Sequence, residues 1–301
     1  MTTSLSTRVW FDLLLLALIW GASFLAIRTA LDGVGVLSSV THRVLWASIV
    51  LWVIVVARRI PIPKSPRIWG AFLVMGLLNN VIPFTLMAWG QLHIETGLTA
   101  ILNAATAIWG VLVAALFFSD ERLTLRRATG VLIGFLGVAT AIGLGAFADF
   151  DLRSLAQISV LAGTLSYALA GSWARAMLAG QSPLVAAAGM LTGSTLVMLP
   201  LSYVVEGPLP LALEPRLWVA IAYYSLAATA LAYLLYYRIL ASAGAGNTML
   251  VTLMIPPVAI GLGAWVRDET LASSAFLGFA VLALGLLLLD GRILRIFRPG
   301  D

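Results

Sequence analysis

The sequence predicts an all-α membrane protein: ten transmembrane helices built from two inverted five-helix repeats. Three observations carry that prediction. The first is solvent: 61% of the 301 residues are hydrophobic and 10% charged, with a mean hydropathy of +1.02, more apolar surface than a soluble core of this size can hide. The second is spacing. A hydrocarbon layer about 30 Å thick needs roughly 20 helical residues, and cutting the chain at its charges, prolines and glycines leaves ten runs of about that length. The third is repetition: Asp120-Glu121 recurs as Asp268-Glu269, and Pro66-Arg67-Ile68-Trp69 recurs as Pro215-Arg216-Leu217-Trp218.

The expected spans are 10 to 31, 35 to 57, 67 to 91, 96 to 118, 124 to 145, 154 to 177, 183 to 205, 215 to 240, 245 to 266 and 271 to 290. The first is long, carries Trp20 and has Arg28 near its end instead of a small-residue cleavage site, so it reads as a retained span and not a signal peptide. The second contains His42 and Arg43. The third holds Asn79 and Asn80, with Pro83, Phe84 and Met87 one and two turns on. In the fourth, Thr99, Asn103 and Thr106 stand at i, i+4 and i+7, one continuous stripe. Gly130, Gly134 and Gly137 mark the fifth, Gly278 and Gly285 the tenth. Small residues let backbones approach closely, so these two helices are expected at the periphery as packing faces and candidate homodimer contacts. The sixth offers Ser166 and Tyr167, the eighth Ser225, Thr229, Tyr233 and Tyr236. The connections, Arg58 to Arg67 and Glu206 to Arg216 being the longest polar ones, are too short to be domains.

The ninth span raises its own question, because Pro256 and Pro257 fall where a membrane helix should be most regular. Proline removes a backbone donor and clashes with the preceding turn, leaving carbonyls around Thr252 and Leu253 short of partners. In a bilayer these need neighbouring helices, side chains or a wet cavity. A break at this point is expected to face inward, with the Thr252 hydroxyl one turn before Pro256 placed to help.

Anchors far apart in the chain repeat at nearly constant offset: Trp20 and Arg28 align with Tyr167 and Arg175, Gly130 with Gly278, Gly137 with Gly285. The halves are then 1–148 and 149–301. Each holds five spans, an odd number, so the second enters the membrane upside down, an architecture that lets secondary transporters alternate access. Orientation follows from the basic residues. With the N-terminus inside, the cytoplasm receives Arg8, Arg58, Arg59, Lys64, Arg67, Arg122, Arg126, Arg127, Arg175, Arg238, Arg292, Arg295 and Arg298, and the outside only Arg28, Arg153, Arg216 and Arg267. Both termini are expected in the cytoplasm.

Trp20-Gly21 in the first helix, Asp120-Glu121-Arg122-Leu123 and Asp268-Glu269 after the fourth and ninth, and the glycine-marked fifth and tenth helices together resemble the EamA branch of the drug/metabolite transporter superfamily. The resemblance covers nearly the whole chain. It implies a multi-pass transporter of the bacterial inner membrane, not an enzyme, working without a cofactor, and within that branch the length and aromatic content look most like exporters of aromatic and other neutral amino acids. Exporters of other drugs or metabolites, and nucleotide-sugar antiporters, are the alternatives. Ile108-Trp109 stands where the branch commonly has a proline, and the second helix starts at Gly35-Val36 without one. Both departures bear on whether helices four and nine kink alike.

Other classes find little support. The net charge of +5 comes without a basic run interleaved with aromatics, so no nucleic-acid partner is expected. Cysteine is absent, the two histidines sit on different helices, and no metal-binding, nucleophile or phosphate-loop motif occurs. No acid lies mid-span, since Asp12, Glu95, Glu206 and Asp290 fall near helix ends, which argues against cationic drugs as the main cargo. Mid-membrane polar groups are costly and mark sites by default, although Ser, Thr and Asn also serve as helix-to-helix glue, and Arg43 has the alternative of snorkelling to the interface. The residues expected to line a pocket for a small-molecule substrate are Trp20, Arg43, Asn79, Asn80, Asn103, Tyr167, Thr229, Tyr233, Thr252, Pro256 and Pro257.

Overall fold

The computed structural model describes residues 6–143, 151–248 and 250–290. Ten helical spans follow one another: α1 (Thr7–Ala30), α2 (Val36–Ala57), α3 (Pro66–Gly90), α4 (Thr96–Phe117), α5 (Leu125–Ile142), α6 (Leu152–Met177), α7 (Pro183–Glu206), α8 (Pro215–Gly244), α9 (Leu250–Arg267) and α10 (Ser273–Asp290). Among the described residues there is no strand. The expected boundary between halves at 148 and 149, and the basic residues Arg292, Arg295 and Arg298, lie outside the described residues. Outward faces are apolar, with Leu116, Leu125, Val204 and Trp265 exposed, as contact with hydrocarbon requires.

The packing repeats itself. α5 lies on α10 and α2 on α7; α1 packs on α9 and α8 as α6 packs on α4 and α3; and α3 meets α7 as α8 meets α2. Exchanging each helix with the one five places along turns this set of contacts into itself. Two like halves thus interlock, and because each has five spans the second is inverted relative to the first.

Helix starts are fixed by residues the sequence supplies locally and by residues it supplies from the other half. Ser6, Thr124 and Asp151 cap α1, α5 and α6 by accepting from backbone N–H groups in their first turns. Pro66, Pro183 and Pro215 open α3, α7 and α8, where the missing N–H has no intrahelical partner to lose. α2 has no local side-chain cap. Instead the Glu206 carboxylate at the end of α7 receives Leu37 N at 2.9 Å and Ser38 N at 2.8 Å. α4 is treated alike: Glu269, just past α9, accepts from Thr96 N at 2.8 Å and from its hydroxyl at 2.7 Å. Two acids of the second half thereby complete two helix N-termini of the first, where both the unpaired N–H groups and the helix dipole favour negative charge.

One expectation needs correction. Pro256 and Pro257 do not interrupt α9, which runs unbroken from Leu250 to Arg267. Each proline deletes one rung of the ladder, and the remaining rungs together with packing on α1 and α4 hold the helix. The interruption falls in α4, between Asn103 and Thr106, where there is no proline. Here Ala104 N and Ala105 N bond the carbonyls three residues back, at 3.1 and 3.0 Å, and the two alanines are small enough to bury this tightened turn completely.

The glycines of α5 and α10 meet each other inside one chain. A Cβ on Gly137 would stand 2.3 Å from Leu282 N, one on Gly278 2.3 Å from Ala141 N, and one on Gly285 2.6 Å from Gly134 N. That face is therefore filled by α10 itself. Gly137→Leu should force the two backbones apart and lower stability by about 1–3 kcal/mol or more, read as a drop in thermal unfolding temperature of the purified protein. Gly110→Leu, on α4 where an added Cβ meets nothing within 4 Å, should leave it nearly unchanged.

Candidate functional site

Near the middle of α3 and of α8 the helices widen by one residue per turn, over Leu77–Val81 and Tyr223–Leu231. Such π segments free carbonyls from the regular ladder and recur at functional sites. Both are secured by the opposite half. The Ser166 hydroxyl of α6 donates to Leu78 O at 2.7 Å, and the Trp20 indole of α1 donates to Ala228 O at 3.1 Å. The two bonds are counterparts under the exchange of halves. Further donors fill in around them: Ser194 of α7 to Gly76 O at 3.2 Å, Tyr223 OH to Ile19 O at 3.1 Å, and Thr229 to Tyr224 O at 2.8 Å.

Between the two wide segments lies a polar and aromatic cluster. Asn79 donates to Tyr233 OH at 3.2 Å and to Asn80 Oδ1 at 3.3 Å; Tyr233 donates to the same Asn80 oxygen at 3.3 Å; Asn80 Nδ2 donates to Ser194 at 2.8 Å. Arg43 reaches in from α2. Its Nε donates to the Thr229 hydroxyl at 2.9 Å, and the guanidinium carbon lies 3.8 Å from the centre of the Phe84 ring, a cation–π arrangement. Phe84 in turn meets Tyr167 edge-on at 6.4 Å, and Tyr167, Tyr224 and Tyr233 all lie within electrostatic reach of the guanidinium. A second string of rings runs from Trp20 to Tyr236 at 5.9 Å, to Tyr237 at 5.5 Å and to Tyr233 at 6.4 Å.

The structure thus brings Arg43, Asn79, Asn80, Tyr167, Thr229 and Tyr233 together, with Trp20 bound to the wide segment of α8. Arg43 points into the bundle and does not snorkel. Asn103 and Thr252 sit on α4 and α9, which pack together, and Asn103 ends the first segment of α4, its carbonyl accepting from Thr106 at 2.8 Å. Pro256 is buried, whereas Pro257 shares an exposed face with Gly261 and Trp265, away from the cluster. Sequence reasoning did not single out Ser194. It is one of four serine and threonine hydroxyls in α7, with Thr192, Thr195 and Ser202, and hydroxyls in a membrane helix are also what packing glue looks like.

Ion pairs and hydrogen bonds close both ends around this centre. On the side of the α1 C-terminus, Asp32 binds Arg28 at 2.8 Å and Arg267 at 3.0 Å, and Glu95 binds Arg153 at 2.8 Å. The hydrogen bond from Arg267, helped by the charges of Arg267 and Arg28 against some burial, holds the Asp32 carboxyl below the usual carboxylate range. At the other end the buried Asp12 of α1 pairs with Arg238 of α8, Nε to Oδ2 at 2.8 Å, beside a concavity of about 390 Å³ lined by Ser6, Arg8 and Ser242. A second concavity, about 430 Å³ between Leu199, Tyr203 and Leu209, is almost wholly apolar and lies on the outer face of α7, remote from the cluster. No group of three or more metal-binding side chains occurs among the described residues.

Residues 9–143 match the EamA-like transporter family, and residues 154–289 match it again. A relative described as a probable terminal-alkyne amino-acid exporter, from Streptantibioticus cattleyicolor, is 26% identical over 96% of this chain and 95% of its own length. An uncharacterized transporter of Archaeoglobus fulgidus is 21% identical over 93% of this chain and 97% of its own. A crystal structure at 15% identity superposes with a TM-score of 0.69 over 98% of this chain and 100% of that one, a likeness of fold.

The bond from Trp20 to the widened segment of α8 can be removed without removing the ring. Trp20→Phe should leave Ala228 O unpaired and lower stability by about 1–3 kcal/mol. Hydrogen exchange should accelerate locally over residues 223–231 while α5 and α10 keep their protection.

Proposed function

The chain belongs to the EamA-like transporter family, and from that membership we propose that it exports amino acids of the aromatic or neutral kind, or closely related small metabolites, by alternating access through the centre of the bundle. The observation that carries this reading is the convergence of both halves on one cluster in mid-membrane, rich in aromatic rings and amides, at the two places where the backbone leaves the regular helix. Sites for small molecules are mostly apolar with a few placed polar groups, and discontinuous helices at a repeat interface are where secondary transporters hold cargo. The amino-acid part comes from the described activity of the Streptantibioticus relative, with which the aromatic lining is compatible.

In this reading Trp20, Arg43, Asn79, Asn80, Tyr167, Thr229 and Tyr233 form the walls, Asn103 and Thr252 flank them from α4 and α9, and the turn at Ala104-Ala105 supplies the flexible point in place of the Pro256-Pro257 pair. In the structure the amides and the phenol bond to one another, so cargo exchanges these bonds for its own and the halves rock to open one end after the other. In this reading the protein sits in a bacterial inner membrane with both termini in the cytoplasm, an orientation that the bias of basic residues supports. Among the described residues no acid stands free in the centre to carry a proton, which favours facilitated flow or exchange over obligatory proton coupling.

Purified protein in liposomes, given a panel of amino acids, organic cations and nucleotide sugars with and without a pH gradient, tests this. Flux of aromatic or neutral amino acids that persists without the gradient is the expected result. Strictly gradient-driven flux of cations alone would contradict it.

A further inference from the structure

Arg43 is the one charged side chain in the cluster described above, and its surroundings are specific. It lies more than a turn inside α2, with α3, α6 and α8 around it, and its side chain is only partly covered by them. Nε is taken by Thr229 and one face of the guanidinium by the Phe84 ring. Those two contacts fix the plane of the group. Its two terminal nitrogens donate to no protein acceptor among the described residues.

The acids that could neutralise it are engaged elsewhere. Asp12 is held by Arg238, Asp32 by Arg28 and Arg267, Glu95 by Arg153, Asp120 and Glu121 by Arg175; Glu206 and Glu269 cap helices. An arginine keeps its proton in proteins, so the centre carries a positive charge that the described residues leave unbalanced. An isolated cation in mid-membrane is expensive. A planar fork of donors held at a set angle is the arrangement that recognises a carboxylate by two parallel hydrogen bonds. For an ammonium group the cluster is poorly suited: it offers neutral oxygens, of which Asn80 Oδ1 already accepts from Asn79 and Tyr233, and the guanidinium repels a second cation.

Resting on the reading of the centre as the transport site, we infer that Arg43 is the carboxylate anchor, and that the substrate class is a monocarboxylate with a hydrophobic or aromatic body whose amino group is dispensable. Phe84 and Thr229 act as positioning residues that aim the fork. An aryl-substituted carboxylic acid should then bind at least as well as the corresponding amino acid, and the amino acid far better than its decarboxylated amine.

Four probes separate the contributions: 3-phenylpropionate (acid only), phenylalanine (acid and amine), phenylalaninamide (amine with a neutral amide) and phenethylamine (amine only). Equilibrium binding to the full chain in detergent, followed by tryptophan fluorescence or calorimetry, reads this site without requiring flux. The expected order is phenylpropionate equal to or tighter than phenylalanine, with the other two at least tenfold weaker. R43Q should weaken the two carboxylates by roughly 10–100-fold, as loss of a charge-assisted bidentate contact does, and leave the other two unchanged or slightly tighter. R43K should fall between, since it keeps the charge and loses the fork. T229V, which leaves the guanidinium in place but removes the bond that aims it, should narrow the discrimination a few-fold, and it serves as the test if R43Q does not fold. Phenethylamine binding as tightly as phenylpropionate, no carboxylate binding to the folded wild-type chain, or equal weakening of all four probes in R43Q or T229V would each overturn the inference. Binding that follows the expected order with no flux in liposomes would instead sink the transport reading and leave the anchor standing.

Discussion

In a hydrocarbon layer no backbone N–H or carbonyl can turn to water, and each has to be paired inside the protein. Most of this chain meets that requirement with unbroken helix. The exceptions are concentrated: the wide turns of α3 and α8 and the tight turn of α4 all lie deep within their spans. The carbonyls released by the wide turns find their donors across the boundary between halves, Ser166 for Leu78 and Trp20 for Ala228. The same bonds that make the irregular backbone tolerable therefore tie the halves together at the centre, and they leave side chains such as Asn79, Thr229 and Tyr233 turned toward one another where a regular helix would have rotated them onward.

Around that centre the halves are joined differently at their ends and at their edge. Glu206 and Glu269 supply the helix starts that α2 and α4 lack, and Asp32 and Asp12 bridge α1 to α9 and α8. These are polar contacts at the membrane boundary, where water can take over each partner when it parts. The glycine faces of α5 and α10 are the opposite: backbone lies on backbone, and any relative movement would cost contacts that nothing replaces. A bundle so built has a fixed edge and ends held by exchangeable bonds, which is the mechanical requirement of two halves that rock about a central site.

The plan of the fold was legible because it is written in composition and repetition. Ten runs of bilayer length and the recurrence of Asp-Glu after α4 and α9 lead to two inverted halves, and the contacts between helices have that symmetry. The inward direction of Arg43 was not legible, since an arginine two turns into a helix also has the interface within reach; Thr229 and Phe84, from other helices, decide it. The wide turns leave no compositional mark. Glu206 and Glu269 were visible as acids at helix ends, but the N-termini they complete stand far away in sequence, and no local pattern links them. Proline misled in α9, where flanking rungs and packing keep the helix whole, while two alanines sufficed to turn α4. Local chemistry states what the backbone can do, and the neighbours determine where it does so.

The central claim is that the point where the two irregular segments meet is the path of the cargo. Met190, whose sulfur lies 3.8 Å from the Asn79 amide nitrogen, is a probe position at that point, and the chain has no native cysteine to confuse the readout. In Met190→Cys liposomes of known orientation, labelling by a membrane-impermeant thiol reagent added to one side and then the other measures access directly. The account predicts reaction from both sides, slowed from each by the transported substrate. A cysteine that reacts from neither side in protein that still transports, or at a rate the substrate leaves unchanged, would place the path elsewhere.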